Sequence, residues 1–272
     1  MGSHGGDATF AGSIPELYER HLVPLIFQPY ALDLAQRLAG RSPARVLEVA
    51  AGTGVVTRAM ASALPSSVAI VATDLNQAML DRAAAVGTAR PVEWRPADAM
   101  VLPFADAEFD AVVCQFGVMF FPDKATAFAE ARRVLRRGGA FLFNVWDRIA
   151  ENEFADAVTT ALASVFPDDP PRFLARTPHG YHDVDIIRGD LSAAGFETPP
   201  EITTLAARSV AESARIPALA YCEGTPLRAE IEARDSSRLA NATEAAAAAI
   251  AGRFGTGRVD GKIQALVVVV AK

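Results

Sequence analysis

Short apolar runs alternate with helix-length segments along the chain from Arg45 onward. The apolar runs predict buried strands at 45–49, 68–73, 92–96, 109–115 and 139–146. Helix-ending residues separate these strands, with Pro65 after a first helix and Gly87 after a second. Asp123 opens a third helix, which is predicted to end at 136–139, among two arginines and two glycines. This alternation is typical of βαβ units and predicts a parallel sheet covered by helices.

The second half of the chain has longer helical stretches between its strands. The valine-rich residues 263–271 predict a last strand, and residues 201–209 predict the neighbour with which it forms a hairpin-like end to the sheet. Helical insertions are predicted at about 149–190 and at about 210–258. We expect both insertions to lie over the same edge of the sheet.

Composition places the chain among globular proteins. Its 272 residues are 51% apolar and 21% charged, near the usual ~45–50% and ~25%. At roughly 150 residues per domain, this length allows one domain or two. The motifs favour a single domain over 1–272, with an N-terminal helical segment at 10–40 and a cofactor-binding core at 45–147. The net charge of −6 and the lack of a basic run disfavour a nucleic-acid partner.

Other classes of protein are disfavoured by local features. The longest apolar run, residues 265–271, is far shorter than the ~20 residues of a membrane span. The first ten residues lack the basic segment and apolar core of a signal peptide, so a cytoplasmic location is expected. The two cysteines, Cys114 and Cys222, and four histidines are too few for a disulfide framework or an obvious metal site.

The sharpest motif is a strand that runs directly into a turn of small residues, Glu48-Val49-Ala50-Ala51-Gly52-Thr53-Gly54. Backbone N–H groups in such a turn can approach a ligand closely, because no side chain blocks them. Asp74 ends the second strand 20 residues after Gly54, where a carboxylate can accept hydrogen bonds from both hydroxyls of a ribose. A tight turn followed by a helix-capping aspartate is the simpler alternative.

Residues with ligand-binding groups also follow the third and fourth strands. Asp98 follows the third strand, where its carboxylate can accept from an exocyclic adenine amine while the Ala99 N–H donates to a ring nitrogen. A loop-capping role for Asp98 is the alternative. The fourth strand ends at Gln115 and Phe116. Because open α/β sheets bind ligands at the carboxyl ends of their strands, we expect all these residues at one edge.

In this order the motifs resemble those of the class I S-adenosylmethionine-dependent methyltransferases, in the broad group that includes the ubiquinone and menaquinone biosynthesis methyltransferases. One departure is that Ala50 stands where the family's acid-x-Gly-x-Gly-x-Gly turn has its first glycine. The resemblance covers about 45–147 well and the rest loosely. The matching segments are LEVAAGTG at 47–54, Asp74-Leu75, Ala97-Asp98-Ala99 with Leu102-Pro103-Phe104, FDAVV at 109–113 and RVLRRGG at 133–139.

The resemblance implies a Rossmann-like α/β fold with a seven-stranded, mostly parallel sheet, an antiparallel last strand and helical lid insertions. It implies S-adenosyl-L-methionine as cofactor and S-adenosyl-L-homocysteine as product. Asp74 would hold the ribose, Leu75 and Met79 would cover the adenine, and Asp98 with Ala99 would read the adenine edge. The full set of expected cofactor-binding residues is Glu48, Ala50, Ala51, Gly52, Gly54, Asp74, Leu75, Met79, Ala97, Asp98, Ala99, Gln115 and Phe116.

The acceptor side is less defined, because methyl transfer from a sulfonium needs positioning of the acceptor more than a dedicated base. For a hydroxyl acceptor of high pKa a general base would help, and His179, Tyr181 and His182 are the candidates, with a solvated loop as the alternative. Residues expected to form the lid or the acceptor pocket, unless they are simply core, are Tyr18, Phe27, Tyr30, Met119, Phe120 and Trp146.

The predicted function is transfer of a methyl group to a small aromatic or apolar molecule by in-line displacement. A nicotinamide-dependent oxidoreductase is one alternative, although Thr57 stands where the dinucleotide fingerprint requires its third glycine. A non-catalytic cofactor-binding module is another. The expected partner is the small-molecule acceptor, without nucleic acid, metal or membrane span, and a homodimer is left open.

Overall fold

One seven-stranded sheet organises the part of the chain that the computed structural model describes, Gly12 and residues 14–272. Positions 10, 11 and 13 of the predicted N-terminal segment lie outside the described residues. The strands are β1 Arg45–Glu48, β2 Ala69–Asp74, β3 Glu93–Pro96, β4 Phe109–Gln115, β5 Leu135–Trp146, β6 Glu201–Ala211 and β7 Val259–Ala271.

The strand order is β3-β2-β1-β4-β5-β7-β6. Strands β1 to β5 pair in parallel, whereas β7 runs antiparallel to both of its neighbours, β5 and β6. The central strands are short apolar runs because helices cover both faces of a parallel sheet and bury both sides of each strand. The predicted fold, a mostly parallel seven-stranded sheet with an antiparallel last strand, is confirmed.

Helices flank the sheet and cover its carboxyl edge. Between α1 and α2 the chain forms a ten-residue π-helix over Tyr18–Phe27, which we call the N-terminal π-helix. The α-helices are α1 Ile14–Leu17, α2 Gln28–Ala39, α3 Val55–Ala63, α4 Gln77–Val86, α5 Lys124–Val134, α6 Glu153–Val165, α7 Phe173–Arg176, α8 Val184–Ala193, α9 Arg215–Glu223, α10 Leu227–Asp235 and α11 Leu239–Phe254.

The predicted end of the helix α5 at 136–139 is wrong. The helix ends at Val134, and Leu135 has an extended backbone and pairs with Phe109 as the first residue of β5. Val134 and Leu135 are both fully buried, one on the helix and the other on the strand. Arg136 then donates to Asp110 Oδ1 at 2.8 Å, across the strand pair. The arginines are therefore the start of a strand rather than the last turn of a helix.

Two hydrophobic layers hold the molecule together, one on each face of the sheet. On one face α2 and α3 pack through residues such as Leu38 and Met60 onto β1, β4 and β5. The opposite face carries the larger layer, which includes Phe128 of α5, Phe141 and Phe143 of β5, and the inner sides of α6 and α9. Helix α11 contacts α6 and α9, and α9 contacts the N-terminal π-helix. This second layer extends over the carboxyl edge.

No helix in the described ranges is long and apolar enough to cross a membrane.

Candidate functional site

The turn after β1 is built from residues with an unusual backbone. Ala50, Gly52 and Gly54 all have positive φ angles, of 55°, 57° and 84°, so the chain reverses tightly into α3. The Gly52 N–H donates to Asp74 Oδ2 at 2.8 Å, which connects this turn to the end of β2. The left-handed conformation favours glycine, and Ala50 adopts it despite its methyl group.

Two buried carboxyl groups lie in or beneath this turn. Glu48 is 1% exposed, and the hydroxyl of Thr57 donates to its Oε2 at 2.5 Å. Burial raises the pKa of Glu48 to about 8, against a smaller lowering by that hydrogen bond. Burial also raises the pKa of Asp74, although the N–H groups of Asn76 and Gly52 oppose the shift. A cationic ligand in contact with these groups would favour their ionised forms.

A cleft opens above the turn, and we call it the cofactor cleft. Most of the predicted cofactor residues line it, and Glu48, Ala51 and Gly54 do not. A side chain on Gly54 would come within 2.9 Å of Trp94, so this glycine serves close packing behind the turn. The lining residues are Tyr18, Val49, Ala50, Gly52, Asp74, Leu75, Asn76, Met79, Ala97, Asp98, Ala99, Met100, Gln115, Phe116, Gly117, Phe120, Phe121 and Pro122.

The residues expected around the adenine all line this cleft. Met79 is buried, whereas Leu75 is 62% exposed. Asp98 lines the cleft and also accepts a hydrogen bond from the Met100 N–H at 2.8 Å. Asp98 therefore caps its own loop, which was the alternative role predicted for it, and it also lines the cleft.

A second cavity, the acceptor cavity, adjoins the cofactor cleft and shares Tyr18, Phe116 and Phe120 with it. It encloses about 570 Å³ of space not filled by protein, a volume that includes the solvent at its opening. Its walls are mostly apolar, and among the described residues that line it none is Asp, Glu, Lys or Arg. The lining residues are Tyr18, Leu22, Ile26, Phe27, Phe116, Phe120, Trp146, Asn152, Phe173, Leu174, Pro178, His179, Tyr221, Thr225 and Pro226.

Stacked aromatic rings form the wall between the two spaces. Phe116 and Trp146 stack in parallel with centroids 3.8 Å apart, and Tyr18 stacks on Phe27 at 4.9 Å. Tyr30 packs edge-on against both Phe116 and Trp146, but it is fully buried and lines neither space. These rings give the acceptor cavity flat walls, which suit a planar ligand.

The other predicted lid and pocket residues divide between the cavity and the core. Phe27 and Trp146 line the acceptor cavity, and Tyr18 and Phe120 line both spaces. Met119 is buried in the core and lines neither space.

Of the three predicted base candidates, the structure brings only His179 to the cavity. The ring nitrogen Nδ1 of His179 lies 2.8 Å from the carbonyl oxygen of Asp147. Burial lowers its pKa to about 4, so the imidazole is neutral near pH 7. Tyr181 instead donates to Asp190 at 2.6 Å, and His182 Nδ1 lies 2.9 Å from the His179 carbonyl oxygen. Neither of those two lines either space.

Sequence reasoning missed the contribution of the second insertion to the cavity. Tyr221 of α9 and the following Thr225 and Pro226 line it, as do Leu22 and Ile26 of the N-terminal π-helix. No spacing motif marks Tyr221. The signal that could have found it is that the predicted insertion at 210–258 contains one tyrosine in an otherwise alanine-rich helical stretch.

Ionic contacts connect the N-terminal π-helix to the glycine turn. Arg58 of α3 donates to Glu19 Oε1 at 2.7 Å and to the carbonyl oxygen of Thr53 at 2.7 Å. Glu19 Oε2 and Thr53 Oγ1 are buried and have no hydrogen-bond partner among the described residues. The π-helix is therefore attached to the edge of the cofactor cleft through one arginine.

No group of His, Cys, Asp and Glu side chains in the described part of the chain could hold a metal ion.

Comparison with known proteins identifies the family. A family model described as a methyltransferase domain matches residues 47–143. The ubiquinone/menaquinone biosynthesis C-methyltransferase UbiE of Saccharophagus degradans is 30% identical over 184 residues, which cover 63% of this chain and 73% of that protein.

Solved structures show the same fold at lower identity. The YcgJ protein of Bacillus subtilis has a TM-score of 0.56 at 18% identity and covers 90% of this chain and 98% of its own. A phosphoethanolamine N-methyltransferase of Haemonchus contortus was solved with phosphomonomethylethanolamine and S-adenosylhomocysteine. It has a TM-score of 0.57 at 18% identity, and the match covers 95% of this chain and 56% of that protein. With the sheet order and the sequence relatives, these matches show that the chain belongs to the class I S-adenosylmethionine-dependent methyltransferases.

Proposed function

We propose that this protein transfers the methyl group of S-adenosylmethionine to a small, neutral acceptor of aromatic or apolar character. The observation that carries the proposal is the shared wall of Tyr18, Phe116 and Phe120 between the cofactor cleft and the acceptor cavity. Ligands that fill the two spaces would meet at this wall. Methyl transfer requires such a meeting of donor and acceptor.

The cleft fits the cofactor on chemical grounds. Asp74 is 7% exposed and faces the cleft, where its carboxylate would accept from the ribose hydroxyls. Gly52 lines the cleft with a φ of 57°, a backbone conformation that favours glycine. Leu75 and Met79 would cover the adenine, and Asp98 with Ala99 would bind its edge.

The cofactor, when bound, supplies an electrophilic methyl group on a sulfonium. The chain itself would bind, orient and exclude water. The stacked pair Phe116 and Trp146 and the rings of Tyr18 and Phe27 enclose the acceptor on apolar surfaces, which keep water from competing as a nucleophile.

The chemistry of the cavity supports a neutral acceptor. A cavity lined by no charged side chain would leave a charged acceptor without a counter-ion, which is costly. The relative UbiE is by its name a C-methyltransferase of ubiquinone and menaquinone biosynthesis, and that name supports an aromatic acceptor here. The Haemonchus enzyme was solved with a phosphorylated ligand, for which this cavity provides no cationic side chain.

Titration calorimetry with S-adenosylhomocysteine tests the cofactor assignment. We expect Asp74→Ala to weaken binding by ~1.5–3 kcal/mol, the usual contribution of hydrogen bonds to a charged group. Asp74→Asn, which keeps one oxygen, should lie between this variant and the wild type. Asp168→Ala, an exposed aspartate outside the cleft, is the matched control. Unchanged affinity in a folded Asp74→Ala protein would contradict the assignment.

A thermal-shift comparison separates the alternatives. S-adenosylhomocysteine at ~100 times its dissociation constant should stabilise the protein by ~2.7 kcal/mol, whereas NAD(H) and NADP(H) should have no effect. A shift with a nicotinamide nucleotide alone would favour the oxidoreductase. Transfer of a labelled methyl group to a set of neutral aromatic compounds then distinguishes an enzyme from a cofactor-binding module.

A further inference from the structure

We infer that His179 and Tyr221 form a pair that recognises a hydroxyl group on the acceptor, and that His179 takes the hydroxyl proton as the oxygen is methylated. The inference rests on the proposed function and deepens it, since it names the class of acceptor. That class is neutral phenols.

The polar groups that line the acceptor cavity divide into satisfied and unsatisfied ones. The Asn152 amide donates to backbone carbonyls, including that of Asp147, and its oxygen accepts from the Gln264 N–H at 3.0 Å. The Thr225 hydroxyl donates to the Tyr221 carbonyl oxygen at 2.7 Å and accepts from the Leu227 N–H. Asn152 and Thr225 therefore stabilise the walls and have little capacity left for a ligand.

Tyr18 also brings a hydroxyl to the lining, and His179 and Tyr221 are the other two polar side chains there. Because the Asp147 carbonyl oxygen can only accept, the His179 proton sits on Nδ1, and Nε2 keeps its lone pair. The Tyr221 hydroxyl has no hydrogen-bond partner in the described part of the chain, and burial among apolar groups is what raises its pKa. His179 and Tyr221 thus present one hydrogen-bond acceptor and one hydroxyl donor.

This pair matches a neutral hydroxyl group better than other acceptor groups. A hydroxyl donates one hydrogen bond and accepts others, so it can donate to His179 Nε2 and accept from Tyr221. An ammonium group would bring a charge to a cavity whose described lining holds no Asp or Glu, and a carboxylate has no proton for the imidazole. A site built to hydrogen-bond a hydroxyl rejects analogues that lack one, because its own polar groups would then stay unpaired.

The rings around the pair favour a planar carrier for that hydroxyl. The His179 ring lies 5.9 Å from the Trp146 ring, and Trp146 stacks on Phe116. Phe116 also lines the cofactor cleft. A flat ring that packs inside the cavity against these side chains would present its hydroxyl to His179 while it lies near Phe116, which the cavity shares with the cofactor cleft.

With a phenol as the acceptor, one proton and one methyl group are transferred. The proton of the hydroxyl moves to Nε2 of His179, and an oxygen lone pair forms the new bond to the methyl carbon. The bond between that carbon and the sulfonium sulfur breaks, and its electron pair stays on sulfur. A neutral imidazole suits this role because the phenol oxygen becomes strongly acidic as it gains the methyl group.

The test uses 2-naphthol, a neutral planar phenol, with naphthalene as the analogue that lacks the hydroxyl. Binding is followed by naphthol fluorescence in the presence of S-adenosylhomocysteine, where no turnover occurs. Methyl transfer from S-adenosylmethionine is followed separately by product analysis. The proteins are the wild type, His179→Gln, Tyr221→Phe and the control His21→Gln, a histidine that lines neither space.

We expect the wild type to bind 2-naphthol more tightly than naphthalene and to form its methyl ether. Tyr221→Phe should raise the dissociation constant and KM for naphthol by about tenfold, as loss of one hydrogen bond does. His179→Gln, whose amide can still accept, should bind naphthol nearly normally but lower kcat by about 10²-fold or more, the usual effect of a lost general base. His21→Gln should match the wild type.

Several outcomes would overturn the inference. Equal binding of naphthol and naphthalene, or unchanged binding in Tyr221→Phe, would remove the recognition pair. Methylation at wild-type rates by His179→Gln, or a product methylated only on carbon, would remove the proton transfer. Tyr221-dependent naphthol binding without any methyl transfer would uphold recognition while the proposed function fails, so the two failures are distinguishable.

Discussion

Glu48 is a buried acid whose protonation couples the stability of the glycine turn to pH. Its pKa is raised from 4.5 to about 8 by burial, so the folded protein retains a proton that the unfolded chain releases. Above pH ~4.5 the unfolded state is therefore favoured by about 1.4 kcal/mol per pH unit, until the pH passes the folded pKa. We expect the melting temperature of the ligand-free protein to fall between pH 6 and pH 8.

The variant Glu48→Gln isolates this effect. Its neutral amide can still accept from the Thr57 hydroxyl, but it carries no titratable proton. Calorimetric melting of both proteins across this pH range should show a steeper decline for the wild type. Parallel curves would mean that Glu48 is ionised in the folded state.

Gly117 and Ala50 share one small space in the cofactor cleft. A side chain on Gly117 would lie 2.5 Å from the Ala50 methyl group and 2.7 Å from Cys114 Sγ. Because neither neighbour can move far in a buried turn, Gly117→Ala should destabilise the protein by about 1–3 kcal/mol. Denaturant unfolding of the two proteins measures the difference.

The double variant Gly117→Ala/Ala50→Gly is the control for this contact. It removes one of the two clashing atoms and returns a glycine to a position with positive φ, so it should recover part of the lost stability. Sites in direct contact are expected to be non-additive in this way. Additive losses in the double variant would show that Cys114 alone limits the space.

At the residue scale, sequence reasoning predicted ligand-binding residues where strands end. Asp74, Met79 and Ala99 are among the predicted residues that line the cleft. It also identified Ala50 as a departure from the family pattern, but not the empty space at Gly117 that accommodates the methyl group. That space depends on contacts between residues far apart in sequence, which local patterns do not encode.

At the scale of the elements, the N-terminal π-helix packs on α2 and α9 and also contacts the glycine turn through an ion pair. It contains Pro24, which lacks an N–H donor, and its link to the glycine turn is the ion pair of Glu19 with Arg58. Loss of the arginine would leave a partly buried carboxylate without a partner. We expect Arg58→Ala to speed hydrogen exchange over residues 18–27 and to weaken S-adenosylhomocysteine binding severalfold.

The control removes the charge of Glu19, which would be left without a partner in Arg58→Ala. Glu19→Gln in the Arg58→Ala background should restore part of the stability, because a buried unpaired charge costs more than a buried amide. Exchange over α8, at Val184–Ala193, should stay the same in all variants. If the π-helix exchanged at the wild-type rate in Arg58→Ala, the ion pair would not be what holds it.

Boundaries between elements were predicted less well than the elements themselves. The apolar runs of β1, β2, β4 and β5 were sufficient to place those strands, because both faces of each are covered. The end of α5 could not be predicted, since the dipole and capping preferences of 136–139 fit a helix end equally well. Burial of Leu135 against Phe109 decided in favour of the strand, and that pairing is long-range.

On the scale of the whole molecule, one face of the sheet contributes to stability alone, whereas the other also carries the two ligand spaces. The layer containing α2 and α3 lines neither the cofactor cleft nor the acceptor cavity. Leu38 of α2 is fully buried there, so Leu38→Ala should cost about 2–5 kcal/mol of stability. The affinity for S-adenosylhomocysteine at a temperature where the variant stays folded should remain that of the wild type.

Leu32 provides a matched control on the same helix. Its side chain is 57% exposed, so Leu32→Ala should change stability by less than about 0.5 kcal/mol. Chemical denaturation and calorimetry on the two variants test the separation. A large loss of cofactor affinity in Leu38→Ala would show that the faces are coupled.

The global architecture could be predicted because the motifs of the family span the cofactor-binding core. The acceptor cavity could not be predicted from the sequence. Its walls come from the N-terminal π-helix, the residues after β4, the end of β5, Asn152, α7 with the loop after it, α9 and the two residues before α10. Tyr221 and His179 both line it although 42 positions separate them in the chain. This arrangement depends on how the insertions pack, and no local pattern specifies it.

The cofactor cleft and the acceptor cavity are built from different parts of the chain, and this difference has a practical consequence for engineering. Apart from Tyr18, the cofactor cleft is built from the continuous stretch 49–122, whereas segments scattered along the chain build the acceptor cavity. Libraries confined to residues 173–179 and 221–226 would therefore diversify the choice of methyl acceptor while the donor-binding stretch is left untouched. Selectivity could be redesigned in this scaffold by exchanging loops and helices as cassettes.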